Sequence, residues 1–150
     1  GLSLYVTGPL GAAAACVRTE QMMPVEPEAL TSLQAAYYRP RARFDVSSLL
    51  LSAAGGLDIS DGLAQDLEHL CRASGCGAAL DSAAIPVALG AQLDDALFGG
   101  DDYELLLASD LPLAGAHRIG YLTPELGLRL DGEPLNGRGF DHFGAGESTS

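Results

Sequence analysis

Gly55-Gly56-Leu57-Asp58-Ile59-Ser60-Asp61-Gly62-Leu63-Ala64-Gln65-Asp66-Leu67-Glu68-His69-Leu70-Cys71 is the stretch whose reading decides the fold. Residues 57–59 form a short apolar run. Leu63, Leu67, Leu70 and Cys71 then recur at i, i+4, i+7 and i+8, the spacing of one face of an α-helix. Gln65, Asp66, Glu68, His69 and Arg72 fall on the opposite, polar face. Gly75 and Gly77 mark the helix exit, residues 78–80 read as a strand ending at Asp81, and Ile85-Pro86 closes the unit. Strand, helix, strand makes this a β-α-β candidate.

On the amino-terminal side, residues 2–7 read as a strand stopped by the turn pair Gly8-Pro9, followed by an alanine-rich helix over residues 10–19. Alanine favours helix and is small enough to let that helix lie close to a sheet. Residues 22–28 contain two prolines and predict a loop, residues 28–38 a short helix ending before Arg39-Pro40-Arg41, and residues 46–54 another. On the carboxy-terminal side, a helix over residues 90–98 stops at Gly99-Gly100, and residues 103–108 read as a buried strand entered through Asp101-Asp102-Tyr103-Glu104. Residues 118–122, 127–130 and 133–135 are further strands, the last two joined by Asp131-Gly132, a two-residue hairpin signal. The pattern predicts an α/β (α+β) domain with a mixed sheet packed against helices over residues 1–143, and a disordered polar tail over 144–150.

The 150 residues, 47% of them hydrophobic, suffice for one packed core. A formal charge of -12 argues against a nucleic-acid partner. All eight cationic residues are arginines, so a phosphate site here must use metal, backbone N–H groups or Arg rather than a P-loop lysine. Cys16, Cys71 and Cys76 suit neither a disulfide framework nor a zinc pair, and point to a reducing cytoplasm. No apolar run approaches the roughly 18 residues of a membrane span. The opening within a strand, without an initiator Met, implies a protein that extends further upstream.

Asp58, Ser60 and Asp61 put two carboxylates and a hydroxyl where a strand meets a helix N-terminus. Ligands of open α/β sheets gather at such junctions. Gly62 keeps bulk away from whatever binds. Carboxylates facing one cleft would offer Mg²⁺ the hard oxygens it prefers, the remaining positions being filled by water and phosphate. The competing reading is structural: Ser60 or Asp61 caps the helix and Asp58 is solvated. The Asp101–Glu104 group admits the same two readings, and the two Gly-flanked acidic motifs together favour a shared cation site. Nothing groups His69, His117 or His142 into a zinc site, and Ser60 has no nearby His or Lys to make it a nucleophile. Tyr37, Tyr38, Phe140 and Phe143 read as packing residues, and Arg39, Arg41 and Arg43 as a solvated cationic face that a phosphate or an acidic partner could use.

Taken together, Leu57-Asp58-Ile59-Ser60-Asp61-Gly62, Ala73-Ser74-Gly75-Cys76-Gly77-Ala78, Ile85-Pro86, Phe98-Gly99-Gly100-Asp101-Asp102-Tyr103-Glu104-Leu105 and Gly139-Phe140-Asp141-His142-Phe143 resemble the thiamine-monophosphate kinase family in order and spacing. Val6-Thr7-Gly8-Pro9-Leu10-Gly11 and Tyr38-Arg39-Pro40 fit as well. The resemblance implies the carboxy-terminal domain of an aminoimidazole ribonucleotide synthetase-like fold, with the dimerising amino-terminal domain lying outside the chain. It implies Mg²⁺-dependent phosphorylation of thiamine phosphate by ATP in a homodimeric complete protein. It assigns Asp58 and Asp61 to Mg²⁺, Ser60 to ATP, and Asp101, where many members have Glu, together with Phe140 to the thiamine substrate. An isolated half would then have little or no kinase activity. Two alternatives accompany this reading: another ATP-dependent synthetase of the same superfamily, and a non-catalytic domain that binds Mg²⁺-nucleotide or a partner.

Overall fold

The computed structural model describes residues 1–20 and 26–136. Phe140, the Gly139-Phe140-Asp141-His142-Phe143 segment and the tail expected to be disordered lie outside them, as does most of the loop expected at 22–28. The elements, in chain order, are β1 (Ser3–Val6), α1 (Ala12–Glu20), α2 (Pro27–Tyr38), a 3₁₀ segment (Phe44–Leu51), β2 (Gly55–Asp58), α3 (Leu63–Ser74), β3 (Gly77–Leu80), a 3₁₀ turn (Ser82–Ala84), α4 (Leu93–Phe98), β4 (Leu105–Ser109), β5 (His117–Thr123), β6 (Gly127–Leu130) and β7 (Glu133–Leu135).

The seven strands form one sheet in the order β2-β4-β1-β5-β3-β6-β7. All neighbouring pairs are antiparallel except β3 and β6, so the sheet is mixed, as the pattern predicts. The β-α-β unit is present as β2-α3-β3. β2 and β3 run in the same sense, but β4, β1 and β5 lie between them, so α3 crosses over three strands rather than linking neighbours. The helix expected over residues 46–54 is instead the 3₁₀ segment Phe44–Leu51, with no buried side chain. Of its leucines only Leu49 packs, partly buried, against Tyr5, Leu107 and Leu113, while Leu50 and Leu51 are exposed, too little to hold an α-helical period.

Strand alternation distributes the core. Leu4 and Val6 of β1, with Leu106 and Ala108 of β4, face the main cluster, where Ile59, Leu63, Leu67, Leu97 and Ile119 are also fully or nearly fully buried. Tyr5 and Leu107 point to the opposite face and pack with Leu113 in a smaller cluster. Both faces of the central strands are thus covered, which explains the unbroken apolar run Leu105-Leu106-Leu107-Ala108. Small residues let α1 sit close: Ala15 and Cys16 pack with Leu33 of α2. Arg18 of α1 forks onto Asp95 of α4 (Nη2–Oδ2 2.7 Å, Nε–Oδ1 3.1 Å), and Asp95 Oδ2 also accepts the Gln92 N–H at 2.8 Å. One charge pair therefore ties two helices and closes the first turn of α4. The Asp131-Gly132 turn has positive φ at both residues (53° and 90°), the conformation that a tight two-residue hairpin requires.

Leu67 shows no exposed surface and stands on the α3 face that meets the sheet. Leu67→Ala should lower the unfolding free energy by about 2–5 kcal/mol, read from urea denaturation. A loss below about 1 kcal/mol would mean that α3 is not packed as described.

Candidate functional site

β1, β2 and β4 present one common edge: the carboxyl ends of β1 and β2 and the amino end of β4. Beyond this edge the β2–β4 ladder continues into both acidic loops. Ile59 N–H donates to the Glu104 carbonyl at 2.8 Å, Tyr103 N–H to the Ile59 carbonyl at 2.8 Å, and Asp101 N–H to the Ser60 carbonyl at 2.8 Å. These bonds, with Ile59 fully buried beneath them, bring the two motifs side by side.

Glycine makes the approach possible. A Cβ on Gly100 would lie 2.6 Å from the Ser60 carbonyl oxygen. Gly62 sits at φ +118°, open only to glycine, and a Cβ there would lie 3.0 Å from the Phe98 carbonyl carbon. Its role is thus backbone conformation and packing against the residue 98–99 turn, rather than clearance for a ligand. Asp101 and Tyr103 also have positive φ (65° and 54°), a conformation costly for a Tyr side chain and held here by the ladder bonds on either side.

The capping alternative is resolved against Ser60 and Asp61. The residue before α3 is Gly62, and no side chain caps it. Asp66, assigned to the polar face by periodicity, is instead buried at 4% exposure. Its Oδ2 reaches back to accept the Ser60 N–H at 2.9 Å and the Asp61 N–H at 3.0 Å. Burial pushes the Asp66 carboxyl up from its ordinary range, against the pull of those two N–H groups. By taking the loop's backbone donors, Asp66 leaves the neighbouring side chains outward. Among the described residues Asp58 and the Ser60 hydroxyl have no hydrogen-bond partner, and Asp61 accepts only a long contact from Gln65 Nε2 at 3.4 Å.

The second motif divides its work. Asp102 accepts the Gly11 N–H with both oxygens (2.9 and 3.1 Å), placing a carboxylate at the start of α1. Burial drives its pKa up to about 7, the Gly11 N–H opposes this, and Glu104 adds to it. Glu104 accepts from the Thr7 hydroxyl at 2.5 Å and pairs with Arg43, which also donates to the Thr7 carbonyl at 3.0 Å and forks onto Asp45 at 3.0 Å. Arg43 is therefore a partly buried tie, not part of a solvated face. Arg39 and Arg41 are exposed as expected. Asp101 stays exposed, with Oδ1 accepting from the Tyr103 hydroxyl at 3.0 Å. That phenol holds its proton more tightly than usual, first through this bond and further through the nearby Asp58 and Asp61 carboxylates.

Asp101 thus bonds the Tyr103 hydroxyl, and Asp58 and Asp61 lie near enough to act on that phenol electrostatically. A cleft of about 990 Å³ runs from Asp101, Asp102 and Glu104 to Arg39 and Arg41. A second of about 440 Å³ opens on Ser60, Asp61 and Asp101. The donors are hard oxygens with free lone pairs, which fits Mg²⁺. Among the described residues no group of three or more His, Cys, Asp or Glu is gathered to hold a metal unaided. A cation here would have to take further ligands from water, phosphate or another part of the protein.

A mixed sheet with crossover helices and an acidic cleft at its strand ends defines an aminoimidazole ribonucleotide synthetase-like domain, a fold shared with Escherichia coli HypE (TM-score 0.61, 20% identity, covering 91% of this chain and 49% of that one). The chain is a homologue of thiamine-monophosphate kinases. It is 34% identical over 168 residues to the Escherichia coli K12 enzyme, covering 93% of this chain and 52% of that protein, and 31% identical over 160 residues to that of Aquifex aeolicus, covering 95% and 52%. Among solved structures, thiamine-monophosphate kinase from Stenotrophomonas maltophilia K279a superposes with a TM-score of 0.78 at 30% identity, over 90% of this chain and 51% of that one. AaThiL complexed with AMPPCP and TMP gives 0.84 at 30% identity, over 95% and 52%. No family model matches the chain. The chain spans about half the length of the curated relatives it matches.

Asp102 gives a pH signature. Its folded pKa near 7 exceeds the unfolded value of about 3.9, so the native state binds the extra proton and stability falls as pH rises between those values. Asp102→Asn mimics the protonated acid. In chelated buffer its urea midpoint should approach that of the parent at pH 5 and exceed it at pH 8; an equal offset at both values would contradict this assignment.

Proposed function

We propose that this chain supplies one half of the active site of a kinase that transfers the γ-phosphoryl group of ATP directly to thiamine phosphate. The supporting observation is the pairing of the Asp58-Ile59-Ser60-Asp61 and Asp101-Asp102-Tyr103-Glu104 loops by three backbone hydrogen bonds, with Asp58, Asp61 and Asp101 left facing outward. The relatedness to thiamine-monophosphate kinases, one of them solved with AMPPCP and TMP, supplies the substrate class.

In this reading Asp58 and Asp61 are metal ligands, Ser60 contacts ATP, and Asp101 contacts the thiamine substrate, with Phe140 packing on it. When bound, Mg²⁺ offsets the repulsion between two phosphate-bearing substrates and the charge that builds in the transition state. The chain's own contribution is position. Asp66 holds the Ser60 and Asp61 amides, so their side chains keep a fixed direction while substrates come and go. The accepting oxygen belongs to a phosphate already largely ionised near neutral pH, so the transfer needs no protein base to remove a proton. Asp101 is one methylene shorter than the Glu common at this position, so it reaches the substrate through a shorter arm or a water. The further ligands that the described carboxylates lack come, in this reading, from the amino-terminal half, within a cytoplasmic homodimer.

Asp58→Asn and Asp61→Asn in the complete protein should each lower kcat by at least about 100-fold. Excess Mg²⁺ should partly restore the activity, and circular dichroism should be unchanged. Unaltered turnover by Asp58→Asn would overturn the assignment. The 150-residue chain alone should bind Mg²⁺-ATP in calorimetry and form no thiamine diphosphate; sustained turnover by it would refute the half-site.

A further inference from the structure

Cys71 and Cys76, five residues apart in sequence, take no part in the acidic site, and their surroundings give them a chemistry of their own. Gly75 ends α3 in the left-handed conformation at φ +65°. The Gly75 N–H bonds to the Arg72 carbonyl at 3.4 Å, and the Cys76 N–H bonds to the Cys71 carbonyl at 3.1 Å. This is the Schellman pair of bonds, which brings the side chain three places before the end residue of the helix against the side chain just after the glycine. Both are cysteines here. Both line one cleft of about 600 Å³ between α3 and the β6–β7 hairpin. Cys71 is 4% exposed, whereas Cys76 is half-buried and open to the cleft. Cys16 is fully buried in a separate cluster with Ala15 and Leu33.

We propose that Cys71 and Cys76 form a paired thiol site that a hydroperoxide converts, in the folded protein, to a reversible intramolecular disulfide. The more accessible Cys76, as thiolate, attacks the outer oxygen of the hydroperoxide. The O–O bond breaks, an alcohol or water leaves with a proton, and Cys76 becomes a sulfenic acid. Cys71 then attacks the Cys76 sulfur and loses its proton as the S–O bond breaks and water departs. Two electrons pass from the two thiols to the peroxide, and the protein loses two hydrogen atoms. Burial pushes the Cys71 thiol up to about 12, so Cys71 is not the group that meets the peroxide first, and its part in the second step rests on the helix end that sets it beside residue 76. The 3.1 Å bond from the Cys76 N–H to the Cys71 carbonyl holds the two residues together at the helix end, so the disulfide closes by turning the two side chains, with α3 left on the sheet. The pair then staples the last turn of α3 to the start of β3.

The full chain treated with one equivalent of hydrogen peroxide under native conditions, then alkylated in denaturant, tests this directly. The expected result is a fall from three alkylatable thiols to one, a mass lower by two hydrogens before alkylation, and a linked peptide joining Cys71 to Cys76, all reversed by dithiothreitol. The oxidised form should melt several degrees higher than the reduced form, because the unfolded chain is constrained. Cys71→Ala should divert the reaction to a dimedone-trapped sulfenic acid at Cys76, and Cys76→Ala should abolish both products. Over-oxidation of Cys76 with Cys71 still reduced in the parent, disulfides between chains, or no reaction would each overturn the proposal.

Discussion

Three backbone hydrogen bonds beyond the end of the β2–β4 ladder are the constraint on which the rest of the site depends. Without them, residues 58–61 and 101–104 would be two independent acidic loops, each free to point its carboxylates into solvent. With them, Ile59 is a buried hinge between two parts of one platform, and the chain tolerates left-handed backbone at Asp101 and Tyr103 to keep the bonds in register. Close approach demands Gly100 opposite Ser60 and Gly62 against the residue 98–99 turn.

That platform sorts the chain's acidity into two kinds. Asp66, Asp95, Asp102 and Glu104 are inward and satisfied: by loop amides, by Arg18, by the start of α1, and by Thr7 and Arg43 respectively. Asp58 and Asp101 are exposed and Asp61 is half-buried, with Asp101 bonded to the Tyr103 hydroxyl. The inward set fixes where the outward set stands. A chain with no lysine and a formal charge of -12 meets phosphates through a cation, backbone N–H groups or arginine.

How much of this was legible in the sequence depended on range. The α3 face at Leu63, Leu67, Leu70 and Cys71 and the Asp131-Gly132 hairpin are local patterns, and the structure has both. The two acidic motifs could be located at strand ends, but not their pairing, which joins segments some forty residues apart. Periodicity misplaced Asp66 because it counts a helix as a cylinder in solvent, whereas the first turn of α3 is covered by the loop that folds back over it. An acidic residue in a first helical turn was the available signal. Arg43 looked solvated because its partner Glu104 lies 61 residues away, and Asp102 looked like a site carboxylate because Gly11 lies 91 residues away. The leucines of the 3₁₀ segment suggest an apolar helix face, of which the fold packs only Leu49 and leaves Leu50 and Leu51 exposed.

If the two acidic loops act as a single cation-and-phosphate platform, backbone-assigned nuclear magnetic resonance of the chain with ATP and a small amount of Mn²⁺ in place of Mg²⁺ will show it. The amides of Asp58, Ser60, Asp61 and Asp101 should broaden together at the lowest Mn²⁺ additions, while those of the β6–β7 hairpin stay sharp. Broadening confined to one loop, or centred away from both, would contradict it.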